Sequence, residues 1–76
     1  MEEKVKQIMS DLFSVEKNEI HSKYGQYDCD DWDSIGHLNL ITAIEEEFDI
    51  VLSVEQISEM KNFELIIHII NESIKK

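Results

Sequence analysis

The sequence contains no proline and no arginine, only two glycines (Gly25 and Gly36) and a single cysteine, Cys29. One cysteine excludes an internal disulfide, and no Cys/His grouping has the spacing of a zinc site. A lone thiol fits a reducing compartment. No apolar stretch approaches the roughly 20 residues that a membrane-spanning helix needs. The most apolar segment, residues 63–70 (FELIIHII), is interrupted by Glu64 and His68. The first residues, MEEKVKQIM, lack the apolar run of a secretory leader. The expectation is a cytoplasmic protein with no membrane attachment. At 76 residues the chain reads as one domain, 1–76, with a modest core and a net stability of a few kcal/mol.

Positive charge is missing in a more telling way. From Tyr24 to Met60 there is no Lys or Arg, while ten acids fall in that window: Asp28, Asp30, Asp31, Asp33, Glu45, Glu46, Glu47, Asp49, Glu55 and Glu59. The other seven acids balance the seven lysines, so the whole formal charge of −10 sits in one stretch. Such a field repels nucleic acid and anionic membrane and speeds encounter with basic protein surfaces. A solvated face kept negative for solubility explains the same composition equally well.

Strand signals are poor and helical periodicity is strong. Val5, Ile8, Met9, Leu12 and Phe13 form one stripe of a helix over about Glu2 to Phe13, with Glu2 and Glu3 at its positive end. A connection from Ser14 to Asp33 follows. It is long for a structureless loop, so a short helical turn is expected near Val15 to His21, with Ile20, Tyr24, Tyr27 and Trp32 pinning the segment to the bundle. Asp33 is a suitable N-cap for a second helix whose stripe is Ile35, Leu38, Ile41, Ile44 and Phe48, bordered by Leu40 and Ala43. Glu45, Glu46 and Glu47 form an acidic rim. Ser53-x-x-Gln56 reads as a capping box for a short helix over Val54 to Met60, with Ile57 and Met60 inward. Asn62 caps a last helix, Phe63 to about Ile74, whose apolar face is Phe63, Ile66, Ile67, Ile69, Ile70 and Ile74; Lys75 and Lys76 suit its negative end. The fold class is all-α: a small bundle of three longer helices and one short one.

Among residues with chemical potential, the string Asp33-Ser34-Ile35-Gly36-His37-Leu38 stands out. Ser34 falls at the first position of a helix, where its hydroxyl is exposed and an attached phosphate meets free backbone N–H groups and the positive end of the dipole. A Ser34–His37 hydrolase lacks an acid to orient the imidazole and donors for an oxyanion; His37 is expected at the surface, His21 in a loop and His68 partly buried on its helix. A calcium loop starting at Asp28 fails at position five (Trp32), six (Asp33) and twelve (Asn39). Nothing basic lies near Cys29 in sequence to activate its thiol. No catalytic or metal-binding residue is expected.

The segment Asp33-Ser34-Ile35, followed by a helix ending Ile44-Glu45-Glu46-Glu47-Phe48-Asp49-Ile50, resembles the acyl carrier protein family. The likeness covers nearly the whole chain and is most specific between Asp33 and Asp49. It implies that Ser34 receives a 4′-phosphopantetheine arm from coenzyme A through a phosphopantetheinyl transferase. The arm's thiol would hold an acyl or aminoacyl group as a thioester and shuttle it between partner enzymes: a loading ligase, then acyltransferases or synthases with basic docking patches. The chain itself would be a monomer and not an enzyme. The resemblance assigns partner docking to Asp33, Ile35, Glu45, Glu46 and Glu47, and an acyl cavity to Val5, Ile44, Phe48, Leu52 and Met60. Gly36 and Asn39 stand where fatty-acid carriers usually have acids, and Thr42 where an apolar contact residue is common. These departures suggest a carrier in a specialised pathway. Ile57 and Ile66, where alanine is frequent, imply a filled cavity and a short or polar cargo. The alternative is an unmodified acidic helical adaptor, which shares the fold and the charge.

Overall fold

The computed structural model describes residues 1–74; the expected role of Lys75 and Lys76 at the end of the last helix lies outside them. Among the described residues the chain is all-α, with helices α1 (Glu2–Phe13), α2 (Ser34–Phe48), α3 (Val54–Glu59) and α4 (Phe63–Ile74). These are the three longer helices and one short helix that the periodicity predicts.

α1 buries Val5, Met9 and Phe13, which lie four residues apart on one face, and stops at Ser14, a left-handed residue (φ 56°) whose N–H returns to the Ser10 carbonyl. Ile8 flanks the core half-buried, whereas Leu12, expected in the stripe, lies exposed. α1 packs chiefly on α2. The fully buried side chains Val5, Met9, Trp32, Leu40, Ile44, Met60, Ile66 and Ile70 come from every part of the chain. Burying each large aliphatic side chain contributes about 1.5–3 kcal/mol.

The start of α2 differs from expectation, whereas Ile41, Ile44 and half-buried Phe48 face the core as the stripe predicts. Its buried face is Gly36, Leu40, Ile41 and Ile44, while Ile35 is 71% and Leu38 58% exposed. A 3.6-residue period fixes spacing, but apolar residues at Ile35, Leu38, Leu40 and Ile41 allow either of two neighbouring faces at the start of the helix. Gly36 decides between them. A Cβ at that position would sit 2.1 Å from the Asp31 carbonyl oxygen and 3.2 Å from the Phe13 ring. The preceding loop therefore seats directly on this turn of the helix, and only a residue without a side chain permits it.

The Ser14–Asp33 connection contains the expected turn, Lys17–Glu19, and a second one, Gln26–Asp28. Ile20, Tyr24 and Trp32 anchor it in the core, but Tyr27 is fully exposed. The same connection closes the start of α4: the Phe63 N–H donates to the Tyr24 carbonyl (2.9 Å) and the Glu64 N–H to the Ser22 carbonyl (3.0 Å). Asn62 Oδ1 accepts from the Leu65 N–H (2.9 Å), as its position before α4 predicts. Three donors that a helix start leaves orphaned are thereby satisfied. α4 buries Phe63, Ile66, Ile69 and Ile70; Ile67 is half-buried, and Ile74 and His68, expected at least partly inside, are exposed. At the start of α3, Ser53 and Gln56 form the reciprocal capping box that their spacing predicts.

Gly36→Ala should lower stability by about 1–3 kcal/mol, because the added methyl has no room and the loop must lift from α2. A urea titration followed by Trp32 fluorescence measures it; an unchanged midpoint contradicts this seating of the loop.

Candidate functional site

Ser34 is the first residue of α2 and is exposed. Its position is set from both sides. Asp33 precedes it in extended conformation, and its Oδ1 accepts from the Gly36 N–H at 2.8 Å, a side-chain N-cap. Two residues before Ser34, Trp32 is buried, and its ring stacks on Phe13 (centroids 5.5 Å apart, 19° between planes) and on Tyr24 (6.4 Å, 25°). The serine therefore projects from a turn whose neighbours on both sides are anchored. Asp33 uses one N–H of the first turn. Among the described residues the N–H groups of Ser34 and Ile35 meet no protein acceptor. Two free donors beside an exposed hydroxyl, at the positive end of a helix of 15 residues, suit a phosphate ester.

His37 is not the surface residue expected. It is half-buried, accepts at Nδ1 from the Trp32 indole N–H (2.9 Å), and its Nε2 lies 2.9 Å from the Ile57 carbonyl oxygen. Both ring nitrogens are thus engaged, and neither is left to take a proton from the Ser34 hydroxyl. The pairing of Ser34 with His37 as nucleophile and base, already weak in the sequence, has no geometric support. The indole–imidazole contact had a sequence signal: Trp32 and His37 bracket the helix start five residues apart. Only the packing of Trp32 shows that the two rings meet.

The three glutamates at the end of α2 differ in surroundings. Glu46 is exposed, and among the described residues no cation reaches it. Glu47 pairs with Lys4 on α1 at 3.0 Å, an exposed contact worth little to stability. Glu45 is half-buried and organises the turn after the helix: its Oε2 accepts from the Leu52 N–H (2.8 Å), and its carbonyl accepts from Asp49 and Ile50. Between Ser34 and these acids the outward face of α2 carries Ile35, Leu38, Asn39 and Thr42, so its middle is uncharged. Thr42 folds its hydroxyl back onto the Leu38 carbonyl (2.9 Å). On the other side of Ser34, Asp28, Asp30, Asp31 and Asp33 are all exposed. Of the residues assigned to a cavity, Val5, Ile44, Leu52 and Met60 are buried in one cluster and Phe48 packs half-buried against it.

Tyr24, against the Trp32 ring, has its phenol pushed up to about 12 by burial, with the Cys29 thiol and the charges of Glu19 and Asp28 adding to the effect. The neutral phenol is favoured in the folded chain. Stability should therefore be intact below the ordinary phenol value near 10.0 and fall as pH rises from there toward about 12, since the unfolded chain releases this proton first. Melting temperatures across that range check this; Tyr24→Phe should flatten the slope.

No family model matches the chain. Two relatives named "Acyl carrier protein" are similar to it over nearly its whole length. The one from Buchnera aphidicola subsp. Schizaphis graminum is 34% identical over 76 residues, spanning 100% of this chain and 96% of the relative. The one from Petrotoga mobilis is 31% identical over 72 residues, spanning 95% of this chain and 85% of the relative.

Proposed function

We propose, since this chain belongs to the acyl carrier protein family, that it carries 4′-phosphopantetheine on Ser34 and delivers a thioester-bound acyl or aminoacyl group to partner enzymes. Membership accounts for a carrier role in general. One observation supports it above the others: the Ser34 hydroxyl is exposed at the first position of a firmly capped helix, beside two unengaged N–H groups. A phosphodiester formed on that oxygen keeps a negative charge where the helix start favours one. The arm supplies a terminal thiol, to which cargo is held as an activated ester. The protein's own residues orient and present it: Asp33 fixes the first turn, Trp32 anchors the loop behind it, and the exposed acids set the field in which partners approach.

Docking has to be brief if cargo is to pass from enzyme to enzyme. Screened charge contacts give fast encounter without a large apolar interface. Of the five docking residues assigned by the resemblance, Ile35 and Glu46 are exposed, and Asp33 adds its charge next to Ser34 while its Oδ1 holds the cap. Glu45 and Glu47 contribute charge while engaged with Leu52 and Lys4. A phosphopantetheinyl transferase, a loading ligase and acyltransferases or synthases with Lys/Arg patches fit this face. Ile66 is fully buried and Ile57 half-buried within the cluster around Met60. Both occupy space that a long chain would need, which supports a short or polar cargo.

Incubation with coenzyme A and a promiscuous transferase should add one phosphopantetheine to the intact mass of the wild type and none to Ser34→Ala, with both folded by circular dichroism. A wild type that gains no mass sinks the reading and favours an unmodified adaptor. Glu46→Lys should slow arm attachment by about threefold or more at low salt, with the difference shrinking as salt rises. Loading acyl groups of increasing length should raise the melting temperature only for the shortest ones; equal protection by long chains contradicts the short-cargo reading.

A further inference from the structure

α3 has the least of its own to hold it in place. It is six residues long, and helices that short are not stable by propensity alone. Its first turn is closed by the Ser53–Gln56 box, Gln56 Nε2 reaches Ser73 Oγ on α4 at 3.4 Å, and half-buried Ile57 gives it an apolar foothold. At its other end the Ile57 carbonyl accepts from the Met60 N–H at 3.3 Å and faces His37 Nε2 at 2.9 Å. On the far side of that imidazole is the Trp32 indole N–H, 2.9 Å from Nδ1. Indole nitrogen only donates, so Nδ1 must carry the lone pair and the ring proton must sit on Nε2, where it donates to Ile57. The two rings lie nearly parallel (19°, centroids 6.2 Å apart). One neutral imidazole therefore links the buried anchor behind Ser34 to the carbonyl end of α3, where helices leave acceptors unfilled.

We propose that His37 is a positioning residue that holds α3 against the start of α2, so that α3 parts from that end of the molecule only by giving up the Nε2–H···O bond to Ile57. The functional meaning rests on the reading of Ser34 as the arm site. Ile44, Leu52 and Met60 are buried, so a tethered cargo enters among them only when some element yields. α3 is the shortest helix, and Leu52 and Met60 flank it in the chain. The bond from His37 then sets how readily the space behind α3 opens, and it does so from three residues beyond the serine.

The test uses the full, unmodified chain labelled with nitrogen-15. Long-range imidazole spectra at neutral pH should show His37 as the Nε2–H tautomer. Amide hydrogen exchange of α3 relative to α4 should rise about tenfold in His37→Leu, which fills similar space without polar atoms. His37→Gln offers one acceptor and one donor and should bring the ratio back to within about threefold of wild type. An Nδ1–H or protonated ring in the wild type, an α3-to-α4 ratio unmoved by His37→Leu, or no recovery in His37→Gln each overturns the proposal. Should His37→Leu fail to fold, the wild-type tautomer and the His37→Gln ratio decide it. None of these readouts depends on the arm, whose attachment is read separately by intact mass, so failure of the Ser34 reading and failure of this one give different results.

Discussion

The contact between residues 29–33 and the first turn of α2 organises much of the molecule. The Asp31 carbonyl lies where a side chain on residue 36 would be, and Trp32 inserts beneath, stacked between Phe13 and Tyr24. This seating chooses which face of α2 turns inward. It puts Leu40, Ile41 and Ile44 in the core, and it leaves Ile35 and Leu38 in solvent next to Ser34. The same loop reaches across to close the start of α4 through the carbonyls of Tyr24 and Ser22. A long connection in a small bundle thus acts as a structural layer, and Gly25 matters to it for the same steric reason: a Cβ there would lie 2.7 Å from the Lys61 carbonyl oxygen.

Electrostatics and packing are divided along the chain. The stretch from Tyr24 to Met60 holds ten acids and no basic residue, and its carboxylates have different tasks. Asp33 caps α2, and Glu45 holds the turn that follows it. Glu46 and the exposed aspartates of the loop carry charge into solvent on either side of Ser34. Between them the outer face of α2 is uncharged, with Ile35, Leu38, Asn39 and Thr42 exposed. Acids on both sides of an uncharged strip favour fast, salt-sensitive encounter with basic surfaces.

Buried polarity is sparing. Among the described residues no buried side-chain nitrogen or oxygen lacks a partner. The Trp32–His37–Ile57 chain is the instance with the most structural reach, because it joins a loop, a long helix and a short one through a single ring. Hydrogen bonds of this kind contribute modestly when made and cost more when one partner is removed.

Much of this fold is set by local chemistry. The helix limits follow from apolar spacing and from Asp33, Ser53 and Asn62, whose side chains cap backbone within their own few residues. The acidic window and the Asp33-Ser34-Ile35 signature need no tertiary information either, and they pointed to a carrier family that near-full-length similarity supports. Tertiary packing alone decided which side of the first turns of α2 faces inward, the exposure of Leu12, Tyr27, His68 and Ile74, and the inward engagement of His37. Periodicity fixes the angle between side chains on a helix but not its rotation about its own axis. That rotation is set by what packs against it, here a carbonyl from five residues earlier and an indole ring that no local rule places.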